Sequence, residues 1–516
     1  GGNRSARPGV LITGGRPSVR RGPRAVPSGI EESTLRPRTR TALAALVPVA
    51  LTGGLLTLTA SPAVAADGTT VARADFNGDG KGDVAANAAT AHVSGHAEAG
   101  QIAVLYGASG GVTATNRTLV SQNTAGVPGA AEPGDEFGSQ LAYGDFNGDG
   151  YDDLAASAPG EDVGDTADAG SVTLLWGSPS GLTGAGSVTV ANPADGVKWG
   201  SALVAGDFDG DRRDDLVVSD RDRTVQFLRG GFSSSGEPAA HHPLRVPADY
   251  YPWTLTAGDV NGDGATDLVS SGSRLYEPGD GNDNLLYLGG PDGPGSPQAR
   301  ELRSGWVTAI GDIDRDGYGD IVSNTGSTED LDGNPVPYTY TGGQIWITYG
   351  SADGDGRLQA VNQDTPGVPG AAEESDAFGL ALDLGDVNKD GYLDLAAGVP
   401  QEDIDGVEYA GSVVVLYGTA AGLTGNGAQV FHQDTADVPG ANEHWDRFGI
   451  EVKLDDVTGD GRADLLAGTF ENDNGGIVHL PSGGAKITAT GSRALSPTAL
   501  GVSTSGAPRL GHNFAD

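Results

Sequence analysis

The chain has 516 residues, with 69 acidic against 31 basic side chains, a net charge of −38, 85 glycines, and neither cysteine nor methionine. That composition excludes a disulfide framework, a thiolate zinc site and a cysteine nucleophile. The acidic surplus argues against a nucleic-acid binder, and 37 % hydrophobic content argues against a membrane bundle.

From the N-terminus, residues 1–34 match no targeting element and read as an over-extended, disordered start. Residues 35–66 carry Arg36, Arg38 and Arg40, an apolar run over 41–59, and Ser61-Pro62-Ala63-Val64-Ala65-Ala66. This is the order of a secretory signal peptide: positive region, apolar region, small-residue cleavage site. Pro48 and Gly53-Gly54 interrupt the apolar run and no basic stop-transfer cluster follows, so a leader is expected rather than an anchor. Cleavage after Ala65 or Ala66 leaves 67–516 as a secreted domain with no membrane attachment.

Residues 67–516 are a repeat array. The pattern Asp-x-(Asn/Asp)-x-Asp-Gly-x-x-Asp recurs seven times, at intervals of 52 to 74 residues. Oxygen-bearing residues at positions 1, 3, 5 and 9 of a Gly-rich loop suit Ca²⁺, which takes six to eight oxygen ligands. Position 7 varies freely in side chain, as expected of a residue that offers its backbone carbonyl. The candidate ligands are Asp75, Asn77, Asp79, Lys81 and Asp83 in the first loop, and Asp145, Asn147, Asp149, Tyr151 and Asp153 in the second. The third has Asp207, Asp209, Asp211, Arg213 and Asp215, and the fourth Asp259, Asn261, Asp263, Ala265 and Asp267. Then come Asp312, Asp314, Asp316, Tyr318 and Asp320, followed by Asp386, Asn388, Asp390, Tyr392 and Asp394. The seventh holds Asp456, Thr458, Asp460, Arg462 and Asp464. Up to seven Ca²⁺ are expected, five of them in regular loops; Arg212 replaces the position-6 glycine of the third loop, and Thr458 stands at position 3 of the seventh. An EF-hand is excluded, because position 12 is not acidic and strands, not helices, follow.

Each loop has similar flanks. Six or eight residues upstream stands an aromatic: Phe137, Trp199, Trp253, Trp306, Phe378 or Phe448. Downstream lie short apolar runs such as Leu395-Ala396-Ala397 and, after a further loop, Ser412-Val413-Val414-Val415-Leu416-Tyr417. Their length, β-branching and Gly or Pro borders predict strands. Four strands per repeat and seven repeats predict an all-β fold, a seven-bladed β-propeller of four-stranded blades with a calcium loop in each. The tail from Leu495 to Val502 and from Leu510 to Ala515 copies 120–127 and 137–142, the opening of a repeat without its loop. It is expected to pair with the first blade and close the ring.

Phe137-Gly138 to Ala158-Pro159-Gly160 and Phe378-Gly379 to Gly398-Val399-Pro400 resemble the FG-GAP repeat, with Phe448-Gly449 to Gly468-Thr469-Phe470 a degraded copy. The chain resembles the seven-bladed propeller of integrin α subunits and of bacterial FG-GAP proteins over essentially all of 67–516. The resemblance implies a secreted binding or adhesion module, with calcium loops on one face and ligands on the other. Repeats three to five depart from it in lacking a clear Gly-Ala-Pro, and repeats four and five also lack the Phe-Gly pair.

No His-Glu-x-x-His or P-loop is present, so a non-catalytic, monomeric module for an extracellular protein or glycan is expected. The alternative is a calcium-dependent propeller that binds polysaccharide or acts as a polysaccharide lyase, with His241, Tyr250, Tyr251, Tyr338 and Tyr340 as candidate bases. The acidic loops are read as solvated surface, with a basic ligand or further cations as the sharper alternative: Glu161, Asp162, Asp165 and Asp168; Glu329, Asp330 and Asp332; Glu402, Asp403, Asp405 and Glu408; Glu471 and Asp473. Trp176, Trp346 and Trp445 are read as packing residues with a capacity to stack on sugar rings.

Overall fold

The computed structural model describes residues 73–194, 196–220, 223–274, 282–295, 299–325, 338–354, 356–471 and 474–516. The leader and signal segments expected over 1–66, and the acids Glu329, Asp330, Asp332 and Asp473, lie outside them. Residues 73–516 form seven antiparallel sheets, six of four strands and one of three, each sheet running in chain order from inner to outer strand. In the second blade the strands are Leu141–Gly144, Asp153–Ala158, Ser171–Leu175 and Val188–Val190. The Asp-rich loop joins inner strand to second strand in blades two to seven and leads into the second strand of the first blade, so all seven loops lie at the same end of their sheets. The fold is a seven-bladed β-propeller.

The core lies between blades, and strand alternation builds it. Along the sixth blade, Leu395, Ala397, Val399, Val414 and Leu416 pack with the fifth blade, against Ile345 and Ile347. Their neighbours Ala396, Val413, Val415 and Tyr417 point the other way, to Leu465 and Val478 of the seventh. A period of two with both faces buried explains why these strands are apolar throughout rather than alternating. The aromatic of each Phe-Gly corner seats in the preceding blade. The Phe137 amide donates to Ala99 O at 3.1 Å, Trp199 to Ala169 O at 2.9 Å and Phe448 to Ala410 O at 2.9 Å. Gly100 shows why that corner admits no side chain: a Cβ there would lie 2.2 Å from the Phe137 nitrogen.

The three-stranded sheet is the first blade (Val84–Ala88, Gln101–Leu105, Arg117–Val120), and the C-terminal tail supplies its inner strand. Phe514 pairs antiparallel with Ala86, the Asn87 amide donates to Asn513 O at 3.0 Å, and the Ala515 amide donates to Ala85 O at 2.9 Å. Leu510 and Phe514 are buried with Leu466 and Ile477 of the seventh blade and Leu105 of the first. Lys453 Nζ, on the inner strand of the seventh blade, reaches Asp516 Oδ1 at 2.8 Å. Burial alone would lower the Lys453 ammonium, but the Asp516 and Asp383 carboxylates outweigh it and hold it well above its usual value. The seam therefore joins first and last blades by strand pairing, apolar burial and an ion pair.

Burying Leu510 and Phe514 contributes roughly 1.5–3 kcal/mol each before any hydrogen bond is counted. Deletion of 495–516 is expected to cost roughly 5 kcal/mol or more, a large share of a typical domain's stability. Thermal melting of the truncated chain checks this; an unchanged midpoint would mean the tail does not hold the ring.

Candidate functional site

The seven Asp-rich loops share one geometry. Position 2 is apolar (Phe76, Phe146, Phe208, Val260, Ile313, Val387 or Val457), and its side chain is fully buried, anchoring the loop to the core. Positions 4 and 6 are left-handed in all seven, including the non-glycine residues Arg212 (φ 70°), Arg315 (φ 60°) and Lys389 (φ 63°). The position-1 carboxylate folds the loop around itself: Asp75 accepts the amides of Asp79 at 3.0 Å and Gly80 at 2.8 Å, and Asp386 those of Asp390 and Gly391 at 3.1 and 2.8 Å. The position-5 carboxylate accepts the position-7 amide, as Asp149 does from Tyr151 at 3.0 Å.

The position-9 aspartates are fully buried at the start of the second strand. Six of the seven use one oxygen for the position-2 amide and the other for an amide just past the third strand. Asp153 accepts Phe146 N at 3.1 Å and Gly177 N at 2.7 Å; Asp394 accepts Val387 N at 3.0 Å and Gly418 N at 2.9 Å. In the seventh loop the two donors are Thr458 N and Ser482 N, at 3.2 and 2.7 Å. Burial, with the other loop carboxylates adding to it, pushes Asp83, Asp153, Asp215 and Asp320 up to about 8. The same causes push Asp267 and Asp394 up to about 7.

The donor set fits a hard cation. Carboxylate oxygens of Asp207, Asp209 and Asp211, and of Asp312, Asp314 and Asp320, lie within 4.8 Å of one another. A carboxylate oxygen has two lone-pair sites, so amide bonds at position 9 leave acceptor capacity. Three loops also recruit a guanidinium, the seventh through Arg73, which pairs with Asp456 at 3.3 Å. Arg229 pairs with Asp209 at 2.6 Å and Asp211 at 2.8 Å, and Arg357 pairs with Asp314 at 2.8 Å. Neighbouring loops touch: the Asp75 amide donates to Asp152 of the next blade at 2.6 Å, and Asp145 to Asp214 at 2.8 Å. Position 7 has a side-chain role that its variety in sequence hid, for the Tyr151 ring lies over Gly78, where a Cβ would come within 2.7 Å of it.

The opposite face carries the Phe-Gly corners and the acidic loops. Part of the acid there is structural. Glu402 and Glu471 accept the side-chain amides of Gln363 and Gln433 at 2.6 and 2.7 Å, and Glu161 accepts that of Gln122. This explains the recurring Gln-(Asp/Asn)-Thr segments, and burial pushes Glu402 up to about 7. The six upstream aromatics are not equivalent. Phe137, Trp199, Phe378 and Phe448 are buried, whereas Trp253 and Trp306 are 42 % and 39 % exposed and pair at 5.0 Å between ring centroids. Trp176 donates to Gly186 O, Trp346 stacks with Arg303, and Trp445, itself exposed, stacks with Tyr409 and Arg447. The candidate bases are dispersed. His241 is on the outer strand Ala240–Pro243, Tyr250 is buried against Ser270, Tyr338 lies under Arg303, and Tyr340 donates to Asp364.

Fold and loops define a seven-bladed propeller with one Asp-rich, cation-suited loop per blade. The sequence matches the FG-GAP repeat over residues 68–105, 137–175 and 378–416, and an FG-GAP-like repeat over 207–270. The chain is thus a seven-bladed propeller that carries FG-GAP repeats, and part of it is similar in sequence to integrin α subunits. It is 26 % identical to integrin alpha-PS2 of Drosophila melanogaster over 238 residues, 40 % of this chain and 15 % of that one. It is 28 % identical to human integrin alpha-IIb over 233 residues, 39 % and 20 % of the two chains. It is 34 % identical to phosphatidylinositol-glycan-specific phospholipase D of Rattus norvegicus over 227 residues, 43 % of this chain and 26 % of the enzyme. The match thus spans about a quarter of the phospholipase and a fifth or less of these integrins. Among the described residues, no helix is long and apolar enough to cross a membrane.

Asp394→Ala strands two buried amides and is expected to destabilise by about 3 kcal/mol, in chelator as well as in calcium, read by denaturant titration. Arg212→Gly relieves a left-handed non-glycine residue and is expected to stabilise by about 1 kcal/mol in the same titration.

Proposed function

We propose that the chain is a secreted, calcium-stabilised, non-catalytic binding module for an extracellular protein or glycan. The observation that carries this reading is the division of the propeller. One face repeats a cation-suited oxygen cage seven times, and the other carries loops that differ from blade to blade. In each cage, side chains at positions 1, 3, 5 and 9 and the position-7 carbonyl would hold Ca²⁺, which supplies charge neutralisation to buried and crowded carboxylates. Arg229, Arg357 and Arg73 already neutralise part of the third, fifth and seventh cages, so Ca²⁺ is expected to bind those three more weakly. Relatedness to integrin α subunits supports an extracellular setting. The named activity of the phospholipase relatives is not carried over, since the match spans 26 % of that enzyme. The lyase alternative loses support from the dispersal of its candidate bases.

Calcium that binds only the folded chain stabilises it by mass action, about 2.7 kcal/mol per site at a hundredfold excess over Kd. Chelation is therefore expected to lower the melting temperature, and readdition of Ca²⁺ to restore it; a midpoint indifferent to chelator would remove the metal from the reading. Arrays of extracellular proteins and glycans, probed with and without chelator, test the module. Binding without turnover is the expected outcome, and ultraviolet-absorbing products from a uronate polysaccharide would favour the lyase.

A further inference from the structure

On the face away from the Asp-rich loops, the inner-strand entrances of blades two, three and four enclose an open cavity of about 540 Å³. Its lining includes Glu136, Ser139, Lys198, Ser201, Trp253 and Ser273. That volume is within the range of small-ligand sites. Ser139, Ser201, Trp253 and Trp306 occupy equivalent positions, six residues before the loop aspartates Asp145, Asp207, Asp259 and Asp312. Two adjacent blades thus present serine where the next two present tryptophan; the two serines and Trp253 line the opening, giving it a hydroxyl side and an aromatic side, and Trp306 stacks against Trp253.

The aromatic side is built rather than incidental. The register between the first two strands of blade four shifts between Pro252 and Thr254, leaving Trp253 at a bulge. Bulges re-aim side chains, and this one leaves the indole exposed against Trp306 where other blades bury their aromatic. Glu136 (φ 56°) and Lys198 (φ 60°) are held in left-handed backbone just before their buried aromatics. The charges near the opening balance. Lys198 is paired with Asp168 at 2.8 Å, and Arg223 covers the Tyr251 ring at 4.6 Å, offsetting Glu136. A balanced site favours an uncharged ligand. An aromatic wall facing serine hydroxyls and one carboxylate suits a ligand with an apolar face and a hydroxylated edge.

We propose that this cavity binds a neutral pyranose ring of an oligosaccharide, its C–H face on Trp253, whose indole Trp306 holds by stacking against it, and its hydroxyl edge toward Ser139, Ser201 and Glu136. The proposal deepens the binding-module reading and rests on it. The full chain in calcium is titrated with neutral hexose and N-acetylhexosamine oligosaccharides, uronate oligosaccharides and an arginine-containing peptide, following tryptophan fluorescence and calorimetric heat. Neutral oligosaccharides are expected to bind and to shift the fluorescence. Trp253→Ala and Trp306→Ala are each expected to weaken binding at least about tenfold. Trp306→Phe is expected to recover part of the loss, and both alanine variants to keep the melting temperature and its calcium response. Undiminished binding by the double alanine variant would overturn the site while leaving the module reading intact. Binding confined to uronates or to the peptide would overturn the ligand class, as would capture of an extracellular protein with no glycan bound. Turnover of a bound glycan would overturn the non-catalytic reading and leave the site standing.

Discussion

A fully buried aspartate at the start of each second strand ties three parts of its blade together: the entry to the Asp-rich loop, the second strand and the end of the third strand. Its two oxygens satisfy two backbone amides that would otherwise be buried without partners. The cost is a desolvated carboxylate next to other carboxylates, which is the charge problem that a cation in the loop relieves. Fold and proposed metal binding are therefore two consequences of one side chain. That coupling accounts for the regularity of the loops in a chain whose connecting segments vary widely in length.

The rest of the ring follows from packing between blades. The second and third strands of the blades are largely buried on both faces, as Asp394–Val399 and Ser412–Tyr417 are throughout, so every blade depends on two neighbours, and an open end would expose one apolar sheet face to water. The C-terminal tail covers that face at the seam, where Phe514 pairs with Ala86. Size complementarity runs through the contact between inner strands and adjacent loops. A Cβ on Gly144 would meet Asp214 of the next blade, and at the seam the roles reverse, with the Asp455 carboxylate over Gly82. Much of the acidic surplus has structural work in this frame, in loop turns, in links between neighbouring loops and in the Gln–Glu pairs of the opposite face.

Local spacing made much of this legible. Seven copies of a nine-residue pattern placed the loops, the flanking apolar runs placed the strands, and the tail's likeness to 120–142 placed the seam. Spacing was a poorer guide where one residue type serves two ends. Trp253 and Trp306 looked like members of the set containing Phe137, because each precedes its loop at an even interval. Both stand two residues nearer their loops than Phe137 does, Trp253 also at a bulge, and they form an exposed pair where Phe137 is buried. Gln122 and Glu161 are 39 residues apart, and nothing local in sequence says that they meet. The acidic loops read as free surface for the same reason.

By itself the sequence determined what repeats dictate: strand periodicity, loop chemistry, blade number and the source of the closing strand. Each depends on residues within about ten positions of one another or on direct copying of a segment. Tertiary structure decided which carboxylates face water and which accept buried amides, which loops also draw in an arginine, and which tryptophans stand free. Those outcomes depend on groups brought together from different blades. Contacts across a blade interface are set by the radial stacking of sheets and by local departures such as the bulge at Trp253, neither of which a one-dimensional pattern encodes.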